Sequence, residues 1–205
     1  MVSVSFILSL TQNSILGSFE VALAIFSGQC VIGWSNDLID YQLDLESKRL
    51  KKPLVIDIVT PKDLKLAICF ALPMAIFLSF VGPLGIKGTA IHAAGLLSAT
   101  CYNFKLKRTR YSVLPYIFSF GAMPWAIFLG VGKRPVIWLT LGFVAFSSAF
   151  HFLNVIKDLN WDISQGVLGL PQLSGKRGSI FIATILISAG IIFAIILIRQ
   201  GRLTD

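Results

Sequence analysis

The stretch "FEVALAIFSGQCVIGWS", residues 19–35, runs directly into "NDLIDYQLD", residues 36–44. Glu20 is the only charged residue in the first segment, whereas the second segment contains three aspartates. About 17–25 mainly apolar residues are needed for a helix that crosses a bilayer. A helix is favoured over a strand, because backbone groups in lipid must be hydrogen-bonded within their own segment. The stretch therefore predicts a membrane-spanning helix with a strongly acidic end.

The remainder of the chain has the same apolar character. Of its 205 residues, 55% are hydrophobic and 14% are charged, and the mean hydropathy is +0.79. Soluble domains have about 25% charged residues. Seven apolar runs can be distinguished, at residues 2–16, 19–35, 64–83, 88–102, 112–131, 136–156 and 179–198. We therefore predict an all-α bundle of about seven transmembrane helices, forming one membrane domain over residues 1–205.

The third run has a helix start that can be read from the sequence. Thr60 is a typical N-cap residue, and Pro61 follows at the first helical position. Asp63 stands at the third helical position, where a carboxylate can complete a capping box. We therefore predict that the third helix begins at Pro61.

Basic residues are concentrated in alternate loops. The loops after the second, fourth and sixth runs contain most of them: Lys48, Arg49, Lys51, Lys52, Lys62, Lys65, Lys105, Lys107, Arg108, Arg110, Lys157, Lys176 and Arg177. Under the positive-inside rule these loops face the cytoplasm of a multi-pass protein in the cell membrane. The net charge of +8 is explained mainly by this topology. Nucleic acid is not an expected partner, because the chain contains no soluble basic domain.

The acidic end of the second run has a helical spacing. Asn36, Asp40 and Asp44 are four residues apart, so a helix places them along one face with Asp37 beside them. Such close carboxylates repel one another unless a cation lies among them. Their hard oxygen ligands suit Mg²⁺, which prefers one or two carboxylates together with substrate phosphate. The alternative is a solvated helix end whose acids pair with the following lysines.

The same spacing recurs at the end of the sixth run, in "HFLNVIKDLNWDISQG", residues 151–166. Asn154, Asp158 and Asp162 are again four residues apart. Ionisable groups at membrane depth are costly, so they are functional candidates. We expect the two acidic lines to lie on two parallel helices and to face each other across one site.

Cationic loops follow both acidic lines. Arg49, Lys51 and Lys52 follow the first line, Lys176 and Arg177 follow the second, and the middle loop adds Lys105, Lys107 and Arg108. Metal-binding acids surrounded by lysine and arginine are typical of a diphosphate site. An apolar bundle beneath such a site suits a hydrocarbon tail, so the pattern predicts a lipid diphosphate as ligand.

These motifs resemble those of the UbiA-type intramembrane prenyltransferases. The family's N-D-x-x-D-x-x-x-D motif matches residues 36–44, and its arginine–proline element is similar to Lys52-Pro53-Leu54, with lysine in place of arginine. Its tyrosine–lysine loop resembles "YNFKLKRT", residues 102–109. Its second acidic motif and glycine–leucine–proline loop resemble "DLNWDISQGVLGLPQLSGKR", residues 158–177. The three motifs occur in the family's order and cover roughly residues 20–180.

The resemblance implies prenyl transfer from an isoprenyl diphosphate to an acceptor, most often an aromatic ring. It implies that Mg²⁺ is held by five catalytic carboxylates, those of Asp37, Asp40, Asp44, Asp158 and Asp162. It also implies a substrate-binding set of Asn36, Arg49, Lys52, Tyr102, Lys107, Arg108 and Asn154. Within that set the asparagines ligate or orient, and the cations hold phosphate.

Two departures from the family pattern are visible. Tyr102 and Lys107 are five residues apart, whereas the corresponding pair is usually four apart. The family usually has nine spans and this sequence predicts seven, so the sequence is expected to be a piece of a longer protein or a reduced member.

Several interpretations remain open at this stage. A related enzyme could use a lipid glycerol phosphate or a sugar donor system, or could cyclise the isoprenoid. A protein of another class, such as a non-catalytic membrane subunit or a cation-coupled transporter, could use the acids to bind cations. His151 is either a proton acceptor that lines the cavity or a buried histidine satisfied by a neighbouring helix.

Overall fold

A computed structural model describes residues 1–204, which form eight α-helices and one 3₁₀ turn, with no strand beyond an isolated bridge between Pro135 and Thr204. The helices are α1 (Val2–Leu10), α2 (Ile15–Glu46), α3 (Pro61–Val81), α4 (Gly85–Phe104), α5 (Leu114–Gly130), α6 (Ile137–Ile156), α7 (Leu159–Ser164) and α8 (Leu170–Gln200); the 3₁₀ turn is Leu106–Arg108. The predicted all-α class is confirmed.

Each of the seven predicted runs overlaps a helix, and some of these helices are both long enough and apolar enough to cross a bilayer. Within residues 1–204, four helices meet the length and hydropathy of a span: α2, α3, α6 and α8. Helix α5 is a shorter apolar helix of 17 residues. Many large apolar side chains on these helices are exposed, as expected where lipid is the solvent. The chain is therefore a multi-pass membrane bundle.

The first run differs from a full span. Helix α1 has nine residues and is about 14 Å long, less than half of a hydrocarbon core about 30 Å thick. Polar side chains end it: Thr11 Oγ1 donates to the Leu8 carbonyl at 2.7 Å, and Asn13 Nδ2 donates to Ser9 Oγ at 3.0 Å. Ser14 then caps α2. These local hydrogen bonds compete with helix continuation and divide residues 2–16 into two helices.

The start of α3 agrees with the prediction made from its sequence. Thr60 Oγ1 accepts a hydrogen bond from the Asp63 amide at 3.2 Å, and Asp63 Oδ2 accepts one from the Thr60 amide at 3.0 Å. Pro61 occupies the first helical position. The reciprocal capping box is confirmed.

The chain divides into two compact units, residues 1–83 and a second unit that begins at Leu84. In the first unit, α2 packs against α1 and α3. In the second, α5 packs against α4 and α6, and α8 packs against α6 and α7. Gly88 illustrates the close packing of α4 and α5, because a β-carbon there would lie 2.4 Å from the carbonyl oxygen of Ala126. Close contact at small residues is typical of membrane helices.

Candidate functional site

The first acidic stretch lies on one uninterrupted helix. Helix α2 extends through Glu46, so the residues of the N-D-x-x-D-x-x-x-D motif all share it. Its 32 residues span about 48 Å, which exceeds a hydrocarbon core about 30 Å thick. The apolar part of α2 can therefore cross the bilayer while its last turns carry the acids beyond the hydrocarbon region.

Lys52 connects two of these acids. Asp37 and Asp44 are seven residues apart, which is two helical turns and the same face of α2. The Lys52 ammonium group donates a hydrogen bond to Asp37 Oδ1 and lies 3.5 Å from Asp44 Oδ2. Arg49 Nη1 is 3.7 Å from Asp44 Oδ1. The loop after α2 therefore folds back so that its cations partly neutralise the acidic face.

The environment keeps Lys52 charged. Burial by itself would lower the pKa of this ammonium group, but the hydrogen bond to Asp37 and the charges of Asp37, Asp44 and Asp40 outweigh burial, so the pKa of Lys52 is raised above its ordinary value. Lys52 is therefore a permanent cation at neutral pH. A charge of this kind can bind carboxylates or exchange them for phosphate oxygens.

A cavity of about 130 Å³ adjoins this cluster in the first unit. Three of its lining residues are charged and the other five are apolar; the lining residues are Trp34, Asp37, Asp44, Lys52, Pro53, Leu54, Val59 and Leu64. Since a water molecule occupies about 30 Å³ of liquid volume, the cavity has the size of a few waters or of an ion with its ligands. Asp44 is only 4% exposed, and its carboxylate oxygens lie 3.5 Å from the Lys52 ammonium group and 3.7 Å from Arg49 Nη1.

The second acidic stretch has a different backbone, and the prediction that its three residues lie along one helix is wrong, because α6 ends before Asp158. Asn154 belongs to α6, which ends at Ile156, and Asp158 is the residue that precedes α7. The Asp158 amide bonds to the Val155 carbonyl three residues back, which tightens the turn. The Asp162 amide still bonds to the Asp158 carbonyl at 2.8 Å, so these two acids remain one turn apart.

Asp162 is held by a neutral side chain that the sequence did not single out. Gln172 Nε2 donates a hydrogen bond to Asp162 Oδ2 at 2.8 Å. Gln172 is the third residue of α8, a position from which glutamine side chains often reach back toward the helix start. That position was the one available signal in the sequence, but it does not indicate which group the amide binds.

The middle loop places its predicted substrate-binding residues around the 3₁₀ turn. Lys107 is half-buried and Arg108 is exposed in this turn, and Tyr102 lies in the last turns of α4. The Tyr102 ring meets the Tyr116 ring edge-on, with centroids 5.5 Å apart. The second unit thus orders the tyrosine of this loop through a contact with α5.

His151 is enclosed in the same aromatic cluster. It is 2% exposed, its ring stacks on Tyr116 with centroids 4.2 Å apart, and its Nε2 is 3.4 Å from Ser112 Oγ. The burial agrees with the interpretation of His151 as a buried histidine that contacts a neighbouring helix, since Tyr116 belongs to α5. Tyr116 and Ser112 were not identified from the sequence, because an aromatic and a serine in apolar surroundings have no distinctive spacing.

The donor chemistry of the acidic stretches fits Mg²⁺. Their oxygen ligands are hard donors, and Mg²⁺ characteristically uses one or two carboxylates with substrate phosphates and water. Among residues 1–204, no three histidine, cysteine, aspartate or glutamate side chains converge in the manner of an all-protein metal cage. The arrangement is therefore compatible with a metal that is bound together with a phosphorylated substrate.

Comparison with known proteins identifies relatives at the level of family and fold. The sequence profile of the UbiA prenyltransferase family matches residues 1–203. A solved structure of a digeranylgeranylglyceryl phosphate synthase is similar with a TM-score of 0.71 and 20% identity, covering 98% of this chain and 73% of that one. The apo structure of a UbiA homologue from Aeropyrum pernix K1 is similar with a TM-score of 0.76 and 16% identity, covering 97% of this chain and 76% of that one. No curated protein matches the chain.

The family match covers nearly the whole chain, and its members are prenyltransferases. It agrees with the all-α membrane bundle and with the motifs at residues 36–44, 102–109 and 158–177. The chain therefore belongs to the UbiA prenyltransferase family and is a membrane enzyme of the class that transfers prenyl groups.

Proposed function

We propose that this enzyme transfers an isoprenyl group from an isoprenyl diphosphate to an aromatic acceptor with the assistance of Mg²⁺. The observation that carries the proposal is the cluster at the end of α2, where Lys52 lies between Asp37 and Asp44 and Arg49 approaches Asp44. Such a mixture of oxygen ligands and permanent cations suits a metal-bound diphosphate.

The metal-binding role is proposed for the five aspartates of the two acidic stretches: Asp37, Asp40, Asp44, Asp158 and Asp162. When bound, Mg²⁺ would supply Lewis-acid stabilisation of the negative charge on the diphosphate. Asn36 and Asn154 would orient the phosphate oxygens. Lys52 would exchange its carboxylate contacts for phosphate oxygens.

The remaining substrate contacts are assigned to the middle loop and to the loop after α2. Lys107, Arg108 and Arg49 would bind the diphosphate by charged hydrogen bonds. Tyr102 would pack against the first isoprene unit, because an aromatic face stabilises a neighbouring cation. The half-buried position of Lys107 supports this role, since a partly desolvated ammonium group interacts more strongly with an anion.

The reaction balances without an oxidant or reductant. The bond between the allylic carbon and the diphosphate oxygen breaks, and its electron pair leaves with the diphosphate. A ring carbon of the acceptor forms the new bond to the allylic cation, and the proton at that carbon passes to solvent or to the released diphosphate. The apolar bundle would exclude water that could otherwise capture the cation.

A second acceptor class is supported by one comparison. The similar digeranylgeranylglyceryl phosphate synthase is named for a glycerol phosphate lipid, so such a lipid is the alternative acceptor for this chain. In that case a hydroxyl oxygen would attack in place of a ring carbon. Cyclisation of the isoprenoid without an acceptor is a further outcome that the same assay would detect.

The decisive assay uses the purified chain in lipid nanodiscs with radiolabelled geranyl, farnesyl and geranylgeranyl diphosphates. Reactions would contain a hydroxybenzoate or hydroxynaphthoate acceptor, a glycerol phosphate lipid, or no acceptor. We expect a labelled prenylated aromatic product that forms with Mg²⁺ and disappears with EDTA. The control replaces Glu20, which lies near the opposite end of α2, with glutamine.

Each other result has a defined meaning. Labelled lipid product without aromatic product would replace the aromatic acceptor by the glycerol lipid. Labelled hydrocarbon without any acceptor would indicate cyclisation. If the chain binds the isoprenyl diphosphate but releases no inorganic diphosphate in any of these reactions, the catalytic proposal is contradicted.

A further inference from the structure

The start of α8 is packed tightly against the middle loop of the second unit. A β-carbon at Gly169 would lie 2.9 Å from the Lys107 carbonyl oxygen and 3.0 Å from Ser112 Oγ. Ser112 Oγ also accepts a hydrogen bond from the Leu170 amide at 3.0 Å. The close approach requires glycine at position 169 and holds the first turn of α8 in a defined place.

Gln172 extends from this anchored turn to Asp162. It is 7% exposed, and its Nε2 donates to Asp162 Oδ2 at 2.8 Å. An ionised carboxylate only accepts hydrogen bonds, so the amide must present its NH₂ group to Asp162. A hydrogen bond to a charged acceptor is stronger than one between neutral groups.

The other end of the same amide is unsatisfied. Within residues 1–204, the buried Oε1 of Gln172 has no hydrogen-bond partner. A buried unpaired carbonyl is unfavourable, and a leucine or methionine of similar size would avoid that cost. The amide therefore contributes something that apolar packing would not, and that contribution is its N–H donation to Asp162.

The backbone around Asp162 is irregular. Helix α7 has only six residues, and the chain departs from regular helix at Asp158, just before it. Short helices are marginally stable by themselves and depend on tertiary contacts. The first turn of α8, which is held against the middle loop, supplies one such contact through Gln172.

We propose that Gln172 is a positioning residue, which orients the Asp162 carboxylate for binding of the Mg²⁺-diphosphate group. This inference rests on the proposed function, because it concerns one carboxylate of that site. Gln172 acts through Asp162 and does not itself touch the substrate. Loss of a side chain that hydrogen-bonds to a metal ligand typically lowers metal affinity about 10–100-fold.

The test compares two substitutions of Gln172 with the same substitutions of a nearby glutamine. Gln172→Leu removes the donor at similar volume, and Gln172→Glu keeps the shape but places a second carboxylate against Asp162. Gln165, at the end of α7, bonds through its side chain to Ser164 and provides the matched controls Gln165→Leu and Gln165→Glu. Binding of geranylgeranyl thiolodiphosphate, whose carbon–sulfur bond resists ionisation, is titrated with Mg²⁺, and thermal unfolding is recorded in parallel.

We expect the Mg²⁺ concentration for half-maximal binding to rise about 10–100-fold in Gln172→Leu, and at least as much in Gln172→Glu, with both controls unchanged. In a chain that already carries Asp162→Ala, the further change Gln172→Leu should have no additional effect, because the two residues act as one unit. Gln172→Glu matches the native shape, so it tests the idea even where Gln172→Leu does not fold.

Three results would overturn the inference. One is a lower unfolding temperature with an unchanged Mg²⁺ requirement, which would make Gln172 purely structural. Another is an additive effect of Gln172→Leu on top of Asp162→Ala. The third is an unsubstituted chain that shows no Mg²⁺-dependent binding, and that result alone would also overturn the proposed function.

Discussion

The two acidic stretches have the same N-x-x-x-D-x-x-x-D spacing but are built differently. Residues 36–44 lie on an uninterrupted helix, and cations from the following loop partly neutralise its aspartates, with Lys52 in contact with Asp37 and Asp44. Residues 154–162 cross a break between α6 and α7, and Asp162 is held by the neutral amide of Gln172.

The difference shows that one spacing can lead to two electrostatic settings. In the first stretch the loop after α2 folds back and places Arg49 and Lys52 against the acids. These ion pairs stabilise the carboxylates, and the same cations can also bind phosphate. In the second stretch a neutral amide, that of Gln172, donates a hydrogen bond to the Asp162 carboxylate. The identical spacing therefore does not determine which side chains contact the acids.

The largest expected effect is loss of turnover when either stretch loses a central acid. Asp40→Ala and Asp158→Ala should each reduce turnover about a thousandfold or more, because Lewis-acid stabilisation is worth several kcal/mol. The double variant should be little worse than either single one, since residues of one functional unit are not additive. Steady-state rates with a radiolabelled isoprenyl diphosphate provide the measurement.

The control for that experiment is Asp57→Asn. Asp57 is exposed in the loop after α2 and has a positive φ of 56°, which asparagine also tolerates. Turnover of this variant should equal that of the unsubstituted chain. A double variant whose losses multiply would show that the two stretches act independently and would break the comparison.

A smaller effect is expected at the cation that distinguishes the first stretch. Lys52→Ala should weaken binding of the isoprenyl diphosphate about tenfold to a hundredfold, since a hydrogen bond to a charged group contributes about 1.5–3 kcal/mol. Lys51→Ala is the matched control, because Lys51 is the exposed neighbour. Equilibrium binding at a fixed Mg²⁺ concentration measures the effect.

That experiment also separates two roles of Lys52. If Lys52→Ala binds diphosphate normally but needs less Mg²⁺, Lys52 is only an internal counter-ion of Asp37 and Asp44. If the affinity falls as expected, the cation contacts phosphate directly. Either outcome sharpens the comparison between Asp37 and Asp44, which contact Lys52, and Asp162, which accepts a hydrogen bond from the neutral amide of Gln172.

The last prediction concerns the side of the membrane on which the loops lie, and its expected signal is an absence of cysteine labelling. We propose that the loops that follow both stretches face the cytoplasm, because they carry the concentrated basic residues. In a chain whose three native cysteines are replaced by serine, Lys51→Cys and Lys176→Cys should not react with an impermeant maleimide in sealed cells. Lys133→Cys, in a loop of the opposite set, should react.

Permeabilised cells complete this test, because both unreactive positions should then become labelled. Labelling of Lys51→Cys but not Lys176→Cys in sealed cells would place the two stretches on opposite sides of the membrane. That result would exclude a common diphosphate site and leave each stretch with a separate role.

Several features could be predicted from the sequence because they depend on local physics. Long apolar runs have to be helical in a membrane, and the capping box at Thr60 and Asp63 involves neighbours three residues apart. The helical placement of residues 36–44 follows from the spacing of the acids and from the apolar run before them. The family motifs are likewise contained in short stretches.

Only the tertiary structure decided which side chains form ion pairs or hydrogen bonds with the aspartate carboxylates. Whether Lys51 or Lys52 folds back onto Asp37 depends on the path of a loop, which spacing does not encode. The break between α6 and α7 and the contact of Gln172 with Asp162 depend on how α8 packs against α7 and the middle loop. The sequence by itself determined helices, caps and the positions of the charged motifs, because those depend on residues within about two helical turns. Partner choice required the folded chain, because it depends on side chains that only packing brings together.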